Sequence, residues 1–476
     1  MIRITLLTLL IAYLSAYAWK DWFRAACWLV LLVVIIQHPD MPKSIFGIPG
    51  FNLWNVLFLN VVLSWLSARK KNRLKWDMPS KINTLFFIYA LVILLAVFRL
   101  FMDQSGIKEL ADATPSLNFM EISTVKIFSE YIINCFKWTT LAFIIFEGAK
   151  TEDRVKFGLW IVVLVYILFS IQVIKSMGLG SLKISGDALQ YKAFKVLSSN
   201  VGFHRVNLSM MLSGGFWMVF CMKEYVSSKK FYFLIIPMCL TIFVAQALTG
   251  GRMGYVTWAI LGFLLCIFKW RKYFLLIPFV IMGIGIIAPS AIDRLTTGLV
   301  SNDDEFSEEA STDFEVQEID TAAMTSGRVL VWPMVVDAIY DRPIIGYGRL
   351  AMTNTTGITL EMINQYGEGE LFPHPHNAYL ELLLETGLLG SIPIFYLYYL
   401  FLKYSFSLFI DNRKSVYIVV GGATFSILVS LLVAGFGSQS FYPREGSIPM
   451  WCLLGLMLRV YVDRKALDQK GKYEIE

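Results

Sequence analysis

The sequence predicts an all-α, polytopic integral membrane protein with about twelve or thirteen transmembrane helices and one long loop on the outer side. Of its 476 residues, 56% are hydrophobic and only 16% are charged, whereas a soluble domain carries roughly 25% charge. The mean hydropathy is +0.59. The aromatic content of 15% suits two belts of aromatic residues at the lipid interfaces. These three observations indicate a protein that lies in a membrane.

The elements of this fold are apolar segments close to the ~20 residues that a spanning helix needs. They are expected at 2–18, 22–37, 51–67, 84–102, 126–147, 155–175, 205–222, 231–248, 253–268, 273–291, 380–402, 415–435 and 447–462. The first two could form a hairpin, or one could be re-entrant, so twelve helices is an alternative. No cleavable signal peptide is expected, because the first segment leads into Lys20 and Asp21 without a small-residue cleavage site.

The loops between these segments alternate in charge, which predicts their sidedness. Basic residues concentrate in every second loop, and such loops are expected in the cytoplasm. They are Arg69, Lys70, Lys71, Arg73, Lys75 and Lys81; Lys150, Arg154 and Lys156; Lys223, Lys229 and Lys230; Lys269, Arg271 and Lys272; Arg413 and Lys414; and Arg464 and Lys465. The intervening loops are neutral or acidic. They are expected outside, at 103–125, 176–204, 249–252, 292–375 and 436–446, and the C-terminus inside.

The long outer loop divides the chain into N-terminal transmembrane helices (1–291), the loop with its motifs (292–379), and C-terminal helices with a cytoplasmic tail (380–476). Residues 303–320, in the first part of the loop, are acidic without a basic residue among them and match no EF-hand pattern, so a solvated segment is expected there. Its second part, after Ser326, is expected to form a short amphipathic helix with Arg328 and Trp332. Pro343 and a turn at 346–348 follow.

Several classes of chemistry have no motif in this sequence. All six cysteines fall in apolar runs, with no CxxC pair. The chain has no Walker motif, no GxGxxG fingerprint and no GxSxG elbow. No His, Cys or Asp cluster has metal-ligand spacing on the outer side. Neither a cofactor nor a metal is therefore expected.

The most informative stretch is 374–390, where a polar loop meets an apolar segment. It contains His374 and His376, two of only four histidines, and Asn377, with Gly387 and Gly390 further on. Histidine exchanges protons near neutral pH. Asn377 is expected to cap the helix, with Glu381 in its first turns. The pattern indicates chemistry at a membrane surface.

Two arginines on the outer side are expected beside helix N-termini. Arg252 follows Gly250 and Gly251 between two apolar segments, and Arg328 comes two residues after Ser326. Exposed backbone N–H groups, a helix dipole and a guanidinium together form an anion site. Two such sites facing one compartment suit a pyrophosphate.

Each of these residues alone also fits an ordinary structural role. Arg252 could be an interfacial side chain that reaches water, and Arg328 could pair with the acidic segment. His376 could simply bond in the interface. Gly387 and Gly390 could be close-packing positions between helices. Their joint occurrence on one side of the membrane favours a functional site.

The spacing His376, Asn377, nine residues, Gly387, two residues, Gly390 resembles the signature of the O-antigen ligase family. Thr249 to Arg252 resembles its Ser/Thr-x-x-Arg turn, although Gly251 stands where a serine is common. The stretch from Ser326 through Trp332 to the turn at 346–348 resembles the part that precedes the histidine in that family. The resemblance covers roughly 200–460 in hydropathy and order.

This resemblance implies an inverting glycosyltransferase with a GT-C-like membrane architecture and one long periplasmic loop. It would move a glycan from undecaprenyl diphosphate to a hydroxyl of lipid A–core at the periplasmic face of a bacterial inner membrane, without a metal. The implied catalytic residues are His376 as general base and Arg328 and Arg252 on the diphosphate. Asn377, His374, Gly250 and Gly251 would also bind substrate. The remaining motif positions are Gly387, Gly390, Ser326, Trp332 and Glu385.

Other functions fit part of the pattern. A polymerase of O-antigen or exopolysaccharide would use the same donor and a growing polysaccharide as acceptor. A lipid-glycan transporter predicts charges near the membrane midplane, and Lys137, with Glu130 on the same helical face, is one candidate. A scaffold protein leaves the arginines and His376 unexplained. No nucleic-acid partner is expected, because the net charge of +6 is modest and lies in short loops.

Overall fold

The computed structural model describes residues 2–38, 41–42, 44–45, 51–114, 124–184, 186–276, 328–366, 373–437 and 440–473. Within these ranges the chain is helical, and no β-strand occurs there. In chain order the α-helices are α1 Ile2–Ala18, α2 Trp22–Leu31, α3 Val33–Ile36, α4 Leu53–Asn72, α5 Ser80–Met102, α6 Ser105–Ala113, α7 Thr124–Ile127, α8 Asn134–Gly148, α9 Glu152–Met177, α10 Gly186–Asn200, α11 Arg205–Cys221, α12 Ser228–Lys230, α13 Ile236–Leu248, α14 Arg252–Phe268, α15 Arg328–Asp341, α16 Ala351–Asn354, α17 Ile358–Tyr366, α18 Ala378–Phe409, α19 Ser415–Ala434 and α20 Ile448–Tyr473.

The predicted all-α polytopic membrane fold is confirmed. Five helical stretches of the described chain are long and apolar enough to cross a membrane: Ser80–Met102, Glu152–Met177, Ser228–Leu248, Ala378–Phe409 and Ser415–Ala434. Each predicted apolar segment except 273–291 coincides with one helix or two consecutive helices. That segment starts in a 3₁₀ turn at Arg271–Leu276 and otherwise lies outside the described residues, as does the acidic part of the long loop. The total of twelve or thirteen spans stays a prediction.

Helix ends follow local capping chemistry. Asn52 caps α4 by accepting a hydrogen bond from the Asn55 N–H at 2.9 Å. Thr151 caps α9 in the same way, and two acidic residues follow in the first turn. Both arrangements satisfy N–H groups that a helix start leaves without an intrahelical partner. The segment 22–37, which was expected as one helix, is divided at Leu32 into α2 and α3.

The predicted basic loops meet at one end of the helix bundle, here called the basic end. Arg459 forms a bidentate pair with Asp77, at 2.6 and 2.7 Å, and hydrogen bonds from Arg459 lower the pKa of Asp77. Arg154 contacts Asp21 at 3.3 Å. This contact places the turn between α1 and α2 at the basic end, so these two helices form a hairpin.

The predicted outer loops meet at the opposite end, here called the site end. The Arg99 guanidinium donates to Ile345 O at 2.7 Å, and the Asn354 amide donates to Asp103 O at 2.7 Å. The Ala378 N–H donates to Gly435 O at 2.7 Å. These contacts tie α5, the second part of the long loop and the 436–446 loop into one unit.

Lys137 makes different contacts from those its sequence position suggests. It donates to Asn55 Oδ1 at 2.9 Å and lies 4.0 Å from the centre of the Trp138 ring. Glu130, the expected partner on the same helical face, is exposed, and a π-helical turn at Phe128–Ile133 lies between the two residues. The lysine is buried by an amide and aromatic rings, a structural arrangement that needs no transport role.

Candidate active site

The site is built around a break in α18. The helix is interrupted at Gly387, whose backbone angles are φ 60° and ψ −170°. Such a break leaves carbonyl and N–H groups without their helical partners, and these must be satisfied inside a membrane. The segment 343–349 satisfies them: the N–H groups of Tyr347 and Gly348 donate to Leu384 O and Glu385 O, at 2.9 and 2.8 Å.

The opposite side of the break is paired with the same segment. The N–H groups of Leu388 and Leu389 donate to Pro343 O and Ile344 O, at 2.8 and 3.0 Å. The close approach requires glycine, because a Cβ on Gly387 would collide with the Ile344 carbonyl group. Gly387 was expected at a helix–helix contact, and instead it contacts this loop segment. Gly390 does pack on a helix, and a Cβ there would lie 2.9 Å from Val92 of α5.

The segment 343–349, which pairs with the break in α18, places Arg349 in a buried cluster of charged side chains. One guanidinium nitrogen, Nη1, lies 2.6 Å from Glu385 Oε1 and 3.0 Å from Glu381 Oε1. Glu385 Oε1 also accepts the Leu350 N–H at 2.8 Å. The three residues are only 3–7% exposed. Removal of one partner from such a buried group costs about 3–5 kcal/mol, because it leaves a charge without compensation.

Aromatic rings complete the surroundings of Arg349. Its guanidinium carbon lies 3.9 Å from the centre of the Tyr442 ring and 5.0 Å from that of Tyr131. Burial disfavours the charged guanidinium, but the carboxylates of Glu385 and Glu381 outweigh it and raise the pKa of Arg349 well above its usual value. Burial, reinforced by Glu385, also raises the pKa of Tyr442, so its hydroxyl stays protonated.

The histidine loop precedes α18 and is fixed at several points. Asn377 caps the helix, as expected, by accepting from the N–H groups of Tyr379 and Leu380 at 3.0 and 3.2 Å. His376 has φ 50°, a left-handed conformation that few residues with a Cβ adopt. The His376 N–H donates to His374 Nδ1 at 3.2 Å, and the two rings are 4.1 Å apart. His374 therefore supports the loop, and its role in substrate binding stays a prediction.

Helix α15 holds this loop from the other side. The Trp332 indole donates to Pro375 O at 2.8 Å, which explains why a tryptophan stands in this helix. Arg328 is the first residue of α15, as predicted. Ser326 lies outside the described residues.

A cavity of about 190 Å³ opens beneath the histidine loop. Its lining includes His374, Arg349, Glu381, Glu385 and Arg444. Arg444 also lines a second cavity of about 110 Å³ between α9, α11, α19 and α20. Within the described residues, the Arg444 guanidinium has neither a hydrogen bond nor a salt bridge. It is an exposed cation that a ligand in either cavity can reach.

Arg252 begins α14, as predicted, on the same side of the bundle. Its Nε is buried without a hydrogen-bond partner among the described residues, which suits a side chain that binds an anion. The two preceding glycines are buried, and their N–H groups donate to Ala247 O and Thr249 Oγ1. The anion-binding capacity of this turn therefore depends on Arg252 and the start of α14, and a role for Gly250 and Gly251 in substrate binding stays a prediction.

A family model described as O-antigen ligase matches residues 236–395. These matched residues, here called the O-antigen ligase segment, are similar to that family. The resemblance that the histidine motif carried is thereby confirmed.

Curated relatives of this O-antigen ligase segment have names that agree. Two proteins whose names describe them as inferred polysaccharide ligases come from Rickettsia felis and Rickettsia conorii. The first is 30% identical over 154 residues, covering 32% of this chain and 36% of that protein. The second is 30% identical over 124 residues, covering 24% and 30%.

A third relative is the ComP-specific O-oligosaccharyltransferase of Acinetobacter baylyi. It is 39% identical over 70 residues, covering 14% of this chain and 12% of that protein. The chain spans about a third of the length of the Rickettsia relatives that it matches.

The O-antigen ligase segment contains most of the predicted site residues. Two of the residues that the structure adds to the site lie outside this segment. Arg252, Arg328, His376 and Arg349 lie within it. Arg444 lies outside it, and so does His204, a third histidine at the site end. Burial, the neighbouring Arg205 and His374 together lower the pKa of His204.

Sequence reasoning missed Arg349, Arg444 and His204. Arg349 directly follows the predicted glycine turn, and that adjacency was the one available signal. Its two carboxylate partners lie 32 and 36 residues further along the chain. Among the described residues there is no group of three or more side chains suited to hold a metal ion.

Proposed function

We propose that this protein is an O-antigen ligase-like glycosyltransferase that joins a lipid-linked glycan to an acceptor hydroxyl. The donor would be a glycan on undecaprenyl diphosphate, the acceptor lipid A–core, and the site would face the periplasm of a bacterial inner membrane. One observation carries the proposal: His376 stands strained beside a charged cavity at the end of the bundle where Arg252 and Arg328 begin their helices.

The chemistry follows from these residue types. His376, as general base, accepts the proton of the acceptor hydroxyl while that oxygen attacks the anomeric carbon. The bond from the anomeric carbon to the diphosphate breaks, and its electron pair leaves on the diphosphate oxygen. Attack opposite the leaving group inverts the anomeric configuration. Arg252 and Arg328 would stabilise the negative charge that develops on the diphosphate.

The energy source is part of the proposal. The donor carries its own leaving group, so neither ATP nor a metal is needed. Purified protein in detergent is therefore expected to join lipid-linked glycan to its acceptor in EDTA without a nucleotide. An absolute requirement for ATP or for a divalent cation would contradict this mechanism and favour a transporter.

The nature of the acceptor separates ligase from polymerase. After deletion of the gene, gel analysis of surface polysaccharide is expected to show unligated lipid-linked polymer together with bare lipid A–core. Core that bears a single repeat unit would instead identify a polymerase.

A protein acceptor is a second candidate, because one relative is named for O-oligosaccharyl transfer to ComP. Hydroxyl groups of protein and of sugar can both be deprotonated by a histidine base. The purified enzyme can be offered lipid A–core and periplasmic protein in parallel. Label that enters only the protein fraction would identify a protein glycan transferase.

A further inference from the structure

The buried charges behind the histidine loop are not evenly matched. Glu385 is fully engaged, because both of its oxygens contact Arg349 Nη1, at 2.6 and 2.7 Å, and one also accepts the Leu350 N–H. Glu381 makes a single contact, from Oε1 to the same nitrogen at 3.0 Å. Its Oε2 has no hydrogen-bond partner among the described residues, and Glu381 lines the cavity. The Arg349 guanidinium thus bonds both carboxylates, and the remaining charge of Glu381 interacts with Arg444 and His374, which line the same cavity.

The hydrogen bond from His376 fixes the tautomer of His374. Its Nδ1 accepts the His376 N–H, so Nδ1 carries no proton, and in the neutral ring the proton is on Nε2. His374 and Glu381 line the same cavity, and their charges interact. The His374 and His376 rings are 4.1 Å apart. Glu381 and His374 therefore share one cavity, and the ring of the candidate base His376 packs on His374.

We propose that Glu381 is the positioning carboxylate of this histidine pair. It orients His374 through the Nε2 side of its ring and supplies the negative charge that stabilises the imidazolium formed on His376. Arg349 and Glu385 hold Glu381 in place. This inference rests on the proposed function, since it assigns a role in the same transfer step.

The transfer step places a positive charge on the histidine loop. The acceptor O–H bond breaks and its oxygen forms the new glycosidic bond, while the bond from the anomeric carbon to the diphosphate breaks and its electron pair leaves on the diphosphate. The proton stays on His376 until water removes it. A positive charge thus appears beside His374, where Glu381 offsets it. The other charged or titratable groups around Glu381 and His374 are Arg349, Glu385, Tyr131, Tyr442, Arg444, His204 and Arg205.

The test uses Glu381→Gln, which removes the negative charge of the side chain and keeps its shape. In Glu381→Gln, kcat is expected to fall about 10-fold to 100-fold, since the imidazolium loses its stabilising partner. The acid limb of the kcat–pH profile should move down by about one unit or less, because loss of a carboxylate lowers the pKa of an imidazole. The KM for the donor should stay within about twofold, because the proposed partners of the diphosphate are Arg252 and Arg328.

Controls distinguish this role from a structural one. Glu361→Gln changes an exposed carboxylate of α17 at the same end of the bundle, and it should leave kcat and its pH profile unchanged. Glu381→Asp retains the charge and should retain the wild-type acid limb despite a lower kcat. A lower kcat in Glu381→Gln with an unmoved acid limb would overturn the proposal, as would unchanged kinetics.

Two further measurements keep the proposal testable if Glu381→Gln does not fold. His374→Gln should produce the same shift of the acid limb, and an unmoved limb in that variant would refute the coupling. The pH dependence of diethylpyrocarbonate modification of the peptide that contains His374 and His376 needs no transfer assay. Its midpoint should be lower in the Glu381 and His374 variants than in the wild type. If wild-type protein catalyses no transfer, the proposed function fails, and this midpoint still decides the role of Glu381.

Discussion

His376 combines reactive chemistry with an unusual backbone. Its φ of 50° is held by the Asn377 cap, by the bond to His374 and by the Trp332 contact to Pro375. Strained positions of this kind persist only where surrounding contacts determine them. The loop is therefore rigid enough to present an imidazole at a fixed place.

Replacement of this imidazole provides the most direct test of the site. His376→Ala should lower the transfer rate by about 10²- to 10⁴-fold, the usual contribution of a general base. Thermal stability and donor binding should change little, because the Asn377 cap and the Trp332 contact to Pro375 do not involve this imidazole. Transfer close to the wild-type rate by a correctly inserted His376→Ala protein would rule out its role as base.

The two arginines at helix starts should depend on shape as well as charge. Arg252→Lys and Arg328→Lys keep the positive charge but lose the planar fork that binds a diphosphate in a bidentate manner. Each is expected to lower kcat/KM on the order of 10-fold, since such a pair of hydrogen bonds contributes about 1.5–3 kcal/mol. Arg342→Lys, an exposed arginine after α15, is the matched control. Unchanged kinetics in either site variant would indicate a generic surface charge.

The break in α18 shows how much of this element could be predicted from its sequence. The start of the helix was predicted correctly, because Asn377 is a local capping signal. The break was not predicted, since hydrophobic residues continue with helical spacing through Gly387. The reason for the break lies about forty residues earlier in the chain, in the segment 343–349. Arg349 stayed unnoticed for the same reason, because a long-range ion pair leaves no periodic pattern.

Glycine substitutions separate the two physical causes that fix this break. Gly387→Ala introduces both a backbone strain of about 1–3 kcal/mol and a collision with Ile344. Gly357→Ala introduces strain at φ 69° with open space around it, and Gly180→Ala introduces neither. The loss of melting temperature in detergent should decrease in the order Gly387, Gly357, Gly180. Equal losses at the first two positions would mean that the docked segment contributes nothing to stability.

The two ends of the helix bundle differ in the way that the charge pattern of the loops predicted. Basic loops meet at one end, with ion pairs such as Arg459–Asp77 and Arg154–Asp21. Both histidines of the loop, Arg252 and Arg349 gather at the other end. Sequence alone indicated which loops share a side. It could not indicate which side chains touch there, since those contacts depend on how the helices pack.

Labelling in intact cells can test the direction of this polarity. The six native cysteines are buried, which favours a low background. Tyr340→Cys and Ala310→Cys should react with a membrane-impermeant maleimide in intact cells, whereas Lys71→Cys should react only after the inner membrane is broken. Tyr340 is 76% exposed and Lys71 is also exposed. The reverse pattern would place the site in the cytoplasm and overturn the proposed donor chemistry.

The pairing of 343–349 with 384–389 also constrains protein engineering. Four backbone hydrogen bonds fix the register of these two segments, and Gly346 and Gly387 each allow the other segment to approach closely. A chimaera that takes the outer loop from a relative but keeps its own α18 would combine a segment 343–349 and a segment 384–389 that do not fit each other. Acceptor specificity is therefore best transplanted as one cassette from Arg328 to Gly390, with its junctions in α15 and beyond the break.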